Sequence, residues 1–289
     1  TGVQTCALPI SKNLEQPSVT SLDIKFNNTC NFKCRICTPA RSSLIANELK
    51  IFSNIPIAPQ PNWSDSDNFL NQITEKLPTL TNIDMYGGEP FLIKKFVHVL
   101  SKAVEQGHAK NIRLHYNSNG SVWPESFITY WPSFQQVDIN FSIDAIGPRF
   151  ELQRGGSWVE VEKNILRIKN LNLPNMTIGI MPTISILNVY YLDEVYDWAQ
   201  KHNFSINVNY LHEPKEFSLS NLTELAQNLI IKKFQGHPWY EMHNMLTVIK
   251  KLPPTDGKTF LEKIKWFDSV REENFKNSHK EIAEAMGYV

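Results

Sequence analysis

Three cysteines, Cys30, Cys34 and Cys37, fall within eight consecutive positions of the chain. Such crowding favours a metal centre, because the 4 cysteines of this 289-residue chain are too few for a disulfide scaffold. Structural zinc normally takes four closed ligands, and no histidine lies close in sequence to supply the fourth. A [4Fe–4S] cluster bound by three thiolates keeps one iron open to an outside ligand. The spacing favours that cluster, with zinc and a distant fourth ligand as the alternative.

A second motif, Tyr86-Gly87-Gly88-Glu89-Pro90, follows the second stretch with strand character. Its two glycines free the backbone to approach a ligand closely. The alternative is an ordinary turn with proline at the first position of a helix. The motif therefore points to a ligand site only in combination with the cysteines.

Taken together, CxxxCxxC and GGEP resemble the motifs of the radical S-adenosylmethionine (SAM) superfamily. The resemblance implies a partial (β/α)6 barrel in which SAM chelates the open iron through its amino and carboxylate groups. It implies that Ile36 packs beside the adenine and that Glu89 and neighbouring carbonyls accept hydrogen bonds from the methionine ammonium. The implied reaction is reductive cleavage of SAM to a 5′-deoxyadenosyl radical, which abstracts hydrogen from a substrate. An electron donor such as flavodoxin or ferredoxin is implied, and no side chain need act as a general base.

Weaker candidates for contacts with SAM stand where the resembling family has them. Asn119 follows the third predicted strand in an Asn-Gly turn, and Ser142 and Asp144 stand at the end of the fourth. The resemblance places Ser142 and Asp144 near the ribose and carboxylate, and gives Arg154 a bidentate contact with the SAM carboxylate. The alternatives are an ordinary loop, an ordinary strand end and a surface arginine.

Six short strands must position these residues, and they alternate with helical stretches in the manner of βα units around a parallel sheet. Apolar residues recur at spacings of three and four between strands, which predicts helices with one face on the sheet. The predicted strands are Leu22–Phe26, Ile83–Tyr86, Ile112–Asn117, Val137–Ile143, Met176–Thr183 and Phe204–Tyr210.

The predicted strands alternate apolar and polar residues, although strands buried on both faces should be almost continuously apolar. If helices cover the apolar face, the polar face lines a wet or ligand-filled interior, as in an open barrel. The alternative is a sheet with one face in water. Five polar residues become possible substrate contacts by position alone, or else satisfied interior groups: His115, Asn117, Asn140, Asn207 and Asn209.

The chain divides into three segments by its patterns. Residues 1–10 resemble a translated sequencing adapter, so we expect this segment, with Cys6, to be non-native and to pack poorly. Residues 11–212 form the predicted barrel, with a loop at 54–67 that covers the site, and residues 213–289 form a helical C-terminal region. The branch that resembles this chain includes SPASM/twitch and anaerobic sulfatase-maturating enzymes. Because no cysteine follows Cys37, we expect a cluster-free, twitch-like region there.

The overall charge is balanced, with 29 basic and 29 acidic residues. This balance gives no general field for nucleic acid or a membrane surface, and no apolar run approaches the ~20 residues of a membrane span. We expect a cytoplasmic enzyme acting on a peptide or protein. The alternatives are a nucleoside or other small metabolite as substrate, or an iron–sulfur electron carrier or sensor without SAM chemistry, which leaves GGEP unexplained.

Overall fold

The computed structural model describes residues 18–53 and 66–288. The expectations for residues 1–10, including Cys6, and for nearly all of the loop at 54–67 lie outside the described residues. Across the described ranges, every helix falls short of the length and apolarity needed to cross a bilayer.

The strands of the described residues form one large parallel sheet and one small one. In the large sheet the strand order is β1-β2-β3-β4-β5-β7, and β6 pairs with β8 in the small sheet. The bounds are β1 (Ser21–Ile24), β2 (Asn82–Met85), β3 (Arg113–Ser118), β4 (Gln136–Phe141), β5 (Met176–Ile180), β6 (Thr183–Ile184), β7 (Ser205–Ile206) and β8 (Asn209–Tyr210).

In the large sheet, the register places apolar residues of neighbouring strands side by side on one face and polar residues on the other, as the alternation predicts. Leu114 of β3 stands beside Ile83 of β2 and Val137 of β4, and all three side chains are fully buried. Their polar neighbours, such as His115, face the interior. With helices between the strands, this is the partial (β/α)6 barrel that the sequence predicts.

The prediction that the fifth and sixth strands are each continuous was wrong, because each is divided into two short strands. The fifth stops at Ile180 and resumes at Thr183, because Pro182 has no N–H for the ladder. Across the break, the Asn207 amide donates to the Ile180 carbonyl at 3.0 Å and the Asn209 amide to the Pro182 carbonyl at 3.0 Å. The small sheet therefore continues the large one past a kink at the carboxyl ends of β5 and β7.

Helices cover the apolar face of the sheet and build the C-terminal region. In α3, four buried residues recur at spacings of three and four, and Ser157 caps α6 by accepting a hydrogen bond from the Glu160 amide. The bounds are α1 (Ser43–Ser53), α2 (Asp67–Lys76), α3 (Lys94–Glu105), α4 (Glu125–Ile128), α5 (Gly147–Arg154), α6 (Trp158–Lys169), α7 (Leu192–Lys201), α8 (Glu224–Phe234), α9 (Tyr240–Ile249), α10 (Lys258–Arg271), α11 (Phe275–Ser278) and α12 (Lys280–Ala285).

Two apolar clusters fill the described part of the molecule. The barrel core runs from Ile24 to Phe204, and the second core runs from Ile184 to Met286. Ile36 and Leu152, which belong to barrel loops and helices, pack against the second core. The division between 212 and 213 stays a prediction, and the second core already begins within the predicted barrel.

Candidate active site

A cavity of about 830 Å³ opens at the carboxyl ends of the barrel strands, the end at which parallel α/β barrels place their sites. The loops after β1, β2, β3 and β4 all contribute to its wall. Thirteen of the predicted site residues line it: Cys30, Cys34, Ile36, Cys37, Tyr86, Gly87, Gly88, His115, Asn117, Asn119, Ser142, Arg154 and Asn209.

The three cysteines are free thiols on the wall of this cavity. A turn between them is closed by the Cys37 amide, which donates to the Cys34 carbonyl at 3.0 Å. Burial raises the pKa of all three thiols, that of Cys34 to about 12. Such thiols become thiolates only when a positive charge offsets the burial, and bound metal supplies that charge.

The spacing of the side chains bears on the kind of metal centre. Within residues 18–53 and 66–288, no three His, Cys, Asp or Glu side chains gather closely enough to hold a single metal ion. A zinc ion requires that closeness of its ligands. In a [4Fe–4S] cluster each thiolate binds a different iron, so its three sulfur atoms stand farther apart. The three thiols on one cavity wall supply the three-thiolate donor set that such a cluster takes.

Gly87 and Gly88 are held against the residues that precede the first cysteine. Both have positive φ, +98° and +53°. A Cβ on Gly88 would lie 1.9 Å from the Thr29 carbonyl oxygen, and one on Gly87 would lie 2.8 Å from that of Asn27. The glycines thus let the two motifs touch, in addition to lining the cavity.

Glu89 lies behind the cavity wall, with no solvent exposure. Its carboxylate accepts hydrogen bonds from the Phe91 amide at 3.1 Å, the Ser118 hydroxyl at 2.9 Å and the Asn119 amide at 2.7 Å. Burial raises the pKa of Glu89 to about 7, against the opposing effect of these hydrogen bonds. Glu89 therefore joins the ends of β2 and β3, and the buried Pro90 follows as the first residue of a short 3₁₀ turn.

Asn119 connects the third strand to the cysteines. Its side-chain amide nitrogen donates to the Cys30 sulfur at 3.9 Å and to the Asn31 side-chain oxygen at 3.2 Å. Ser142 lines the cavity just beyond the end of β4. A donor to a thiolate sulfur stabilises its negative charge, so burial raises the pKa of Cys30 while the Asn119 contact acts in the opposite direction.

Asp144 and Arg154 form a buried ion pair. Nη1 of Arg154 lies 2.5 Å from Oδ2 of Asp144, and the Thr183 amide donates to Oδ1 at 2.7 Å. Burial opposes the charge of Arg154, but Cys34 and Asp144 nearby raise its pKa above the ordinary value. Arg154 lines the cavity, whereas Asp144 does not. Beyond Arg154, a Cβ on Gly156 would lie 2.1 Å from the Phe32 ring, so this segment also touches the cysteine loop.

A second, polar cavity of about 390 Å³ lies toward the amino ends of the strands. His115 joins it to the larger cavity: its Nδ1 lies 2.6 Å from the Asp84 carboxylate and its Nε2 lies 2.8 Å from the Asn140 amide nitrogen. A neutral imidazole that donates from Nδ1 to the Asp84 carboxylate accepts at Nε2 from the Asn140 amide. Asn140 and Asn207 line this smaller cavity, unlike Asn117 and Asn209.

Several residues of the large cavity escaped the sequence analysis. Asp84 lines the cavity from the polar face of β2, but it stands in no motif. Its alternation with the buried Ile83 and Met85 was the one sequence signal that placed it on this face. Lys25 lines the cavity and donates to the Ala40 carbonyl at 2.6 Å. Burial, with Arg41 beside it, lowers the pKa of Lys25.

Residues 24–199 match the family model of the Radical SAM superfamily, and the chain belongs to this superfamily. Its members are enzymes that use a [4Fe–4S] cluster and SAM. No curated protein matches the chain in sequence.

Among solved structures, native anSMEcpe with bound AdoMet and the Cp18Cys peptide is similar at a TM-score of 0.54 and 16% identity. The alignment covers 81% of this chain and 62% of that chain. Native anSMEcpe with bound AdoMet is similar at a TM-score of 0.54 and 18% identity, covering 78% of this chain and 61% of that one. This chain thus spans less than two thirds of the neighbours' length, and the likeness establishes the fold.

Proposed function

We propose that Cys30, Cys34 and Cys37 hold one [4Fe–4S] cluster and that the large cavity binds SAM beside it. Bound there, the cluster and SAM supply reductive cleavage of the sulfonium and hydrogen abstraction from a substrate. The observation that supports this proposal most directly is that the three thiols share one cavity with Gly87 and Gly88. A carrier that only transfers electrons has no need of such a cavity.

The proposed residue roles follow from position on the cavity wall. Ile36 supplies an apolar surface for the adenine, and the backbone at Tyr86–Gly88 supplies carbonyl acceptors for the ammonium. Arg154 supplies a fixed positive charge for the SAM carboxylate, oriented by Asp144. Glu89 acts from behind the wall, by holding the Asn119 backbone.

For the substrate, we propose a peptide or protein side chain that enters the large cavity above its polar floor, the surface formed by His115, Asn117 and Asn209. The support is the fold shared with anSMEcpe, which has been solved with a bound peptide. The floor offers His115, Asn117 and Asn209 to a polar group, with Asn140 and Asn207 below it. A low-potential donor such as flavodoxin or ferredoxin completes the proposal. A cytoplasmic location belongs to it, since free thiols persist in a reducing compartment.

Anaerobic reconstitution with iron and sulfide, followed by dithionite and SAM, tests the proposal. We expect a brown protein that bleaches on reduction and forms 5′-deoxyadenosine, measured by chromatography. The variant Cys34→Ala should lose both properties, whereas Cys6→Ala, which changes the one cysteine outside the motif, should keep both. A wild-type protein with a full cluster and no 5′-deoxyadenosine would overturn the proposal.

The substrate class has its own test. The rate of 5′-deoxyadenosine formation is compared with a mixed pool of peptides and with a panel of nucleosides and small metabolites. We expect the peptide pool alone to raise the rate above that with SAM only. Stimulation by a nucleoside and not by peptides would contradict the substrate class and leave SAM cleavage intact.

A further inference from the structure

Arg35 lies inside the cysteine motif, between Cys34 and Cys37, but its side chain is 0% exposed and does not line either cavity. A guanidinium keeps its charge under all ordinary conditions, so burial requires partners of opposite charge or hydrogen-bond acceptors. The partners of Arg35 therefore reveal what the cysteine loop is attached to.

Toward the barrel, Arg35 is held by the end of α5. Its backbone amide donates to the Gln153 carbonyl at 2.8 Å, and Nε donates to the Leu152 carbonyl at 3.1 Å. The same helix ends at Arg154 on the cavity wall. The middle of the cysteine motif is thus fixed relative to a residue proposed to meet SAM.

Toward the C-terminal region, Arg35 meets two carboxylates. Nη2 lies 2.7 Å from Asp268 of α10 and 2.5 Å from Glu273, and the guanidinium lies 5.4 Å from the centre of the Phe267 ring. Asp268 is itself fixed, because its Oδ2 accepts from the Phe275 amide at 2.7 Å and the Tyr288 hydroxyl at 2.6 Å. These contacts join the cysteine loop to α10, α11 and the chain beyond them.

Helix α10 also contacts α1, the helix that follows the cysteines. Arg271 of α10 binds both carboxylate oxygens of Glu48 in α1, at 2.9 and 2.7 Å, and both side chains are nearly buried. A bidentate pair of this kind fixes orientation as well as distance. Helix α10 therefore contacts the cysteine loop at Arg35, between Cys34 and Cys37, and it also contacts α1, downstream of the cysteines.

We propose that Arg35 is a positioning residue through which the C-terminal region fixes the backbone of residues 34–37, and with it the placement of Cys34 and Cys37. The inference rests on the proposed function for the identity of the bound cluster. Its physical basis is independent of the cluster, since loss of the Asp268 charge leaves the buried guanidinium with the partly exposed Glu273 as its one remaining carboxylate, which weakens the hold on the loop. The C-terminal region then has a role at the site without supplying a cysteine.

Hydrogen exchange of the cluster-free protein tests the inference at the amides of Arg35 and Cys37, which donate to the Gln153 and Cys34 carbonyls. The variant Asp268→Asn keeps the shape of the side chain, but it removes the charge that pairs with Arg35 and one of the acceptor oxygens that hold Arg35, Phe275 and Tyr288. We expect both amides to exchange about tenfold faster or more. The control, Asp193→Asn, breaks the 2.9 Å ion pair with Lys233 between α7 and α8 instead and should leave these rates unchanged.

Reconstituted protein gives a second readout, the change in the electron paramagnetic resonance spectrum of the reduced cluster on adding SAM. We expect Asp268→Asn to alter this change and Asp193→Asn to preserve it. If Asp268→Asn fails to fold, Glu273→Gln, at the more exposed carboxylate, is measured in the same way.

Unchanged exchange and spectra in the Arg35-partner variants would overturn the inference, as would equal acceleration in Asp193→Asn. These failures are distinct from that of the proposed function. A wild-type cluster that never yields 5′-deoxyadenosine removes the function and leaves the attachment of the loop as measured on cluster-free protein.

Discussion

Nη1 of Arg154 lies 2.5 Å from Oδ2 of Asp144, so two residues expected to contact SAM separately form one unit. Both oxygens of Asp144 are engaged, since Oδ1 accepts from the Thr183 amide at 2.7 Å. Arg154 alone reaches the cavity wall. The pair therefore presents a positive charge to the cavity in a fixed orientation, with Asp144 behind it.

The variant Arg154→Met should weaken SAM binding, because a charge-assisted hydrogen bond is lost. The dissociation constant is expected to rise about tenfold or more, from the 1.5–3 kcal/mol typical of hydrogen bonds to charged groups. Anaerobic equilibrium dialysis of reconstituted protein with labelled SAM measures it. Arg167→Met, which removes an exposed arginine stacked on Trp123, is the control and should bind SAM normally. Equal affinity of Arg154→Met and wild type would refute the role of Arg154.

The variant Gly88→Ala should be far less stable than Gly107→Ala. Both glycines have positive φ, +53° and +76°, but a Cβ on Gly88 meets the Thr29 carbonyl at 1.9 Å while one on Gly107 meets nothing within 4 Å. We expect Gly107→Ala to lower the free energy of unfolding by about 1–2 kcal/mol and Gly88→Ala by about 2–5 kcal/mol. Urea denaturation measures both. Similar losses would show that contact with the cysteine loop is unimportant.

The variant Asn119→Ala should lower the reduction potential of the cluster, because a donor to the Cys30 sulfur stabilises the more negative, reduced state. Cluster affinity should also fall, by about 10–100-fold, as for other partners of metal ligands. Potentiometric titration followed by electron paramagnetic resonance measures the potential. Asn175→Ala removes hydrogen bonds to the Trp131 and Phe134 carbonyls instead, and its potential should equal that of wild type. A shared shift in both variants would argue against a specific role.

Acid should destabilise the protein through His279. Burial, with Arg149 and Arg35 nearby, lowers the pKa of His279 to about 3. As the pH falls through about 6.5, His279 of the unfolded chain binds a proton, whereas His279 of the folded protein stays neutral. The free energy of unfolding therefore keeps its full contribution from His279 above pH 6.5 and declines as the pH falls below it. Between pH 6.5 and 5 the decline should reach about 2 kcal/mol.

The variant His279→Gln keeps a polar side chain at this position and removes the titration. Its free energy of unfolding, measured by urea denaturation, should depend less steeply on pH than that of wild type over this interval. Parallel curves for the two proteins would exclude His279 as the source of the acid sensitivity.

The sequence was most informative where chemistry and spacing coincide in a short segment. The three cysteines, Gly87 and Gly88 lie together as the motifs indicate, because short-range geometry leaves the cysteine loop few alternatives. The polar face of β3 likewise follows from strict alternation. The break after Ile180 was readable from Pro182, whose missing N–H argues against a continuous strand.

The contacts that fix the site were not readable, because they join residues distant in sequence. Arg35 and Asp268 are 233 positions apart, and neither stands in a pattern that marks it for burial. Glu89 illustrates a second limit, since a motif names a residue without showing that three hydrogen bonds turn it away from the cavity. Long-range partners require the assembled fold.

Ile36 from the cysteine loop and Leu152 from α5 pack against the second core, although both belong to the barrel by sequence. The barrel is therefore not a transferable module. A chimera or truncation that retained the strands and both motifs, but replaced or removed α10 and the chain beyond it, would expose one face of the cysteine loop. It would also leave the buried Arg35 without its carboxylate partners. Grafting a new specificity onto this scaffold has to keep the C-terminal helices, even though they supply no cysteine.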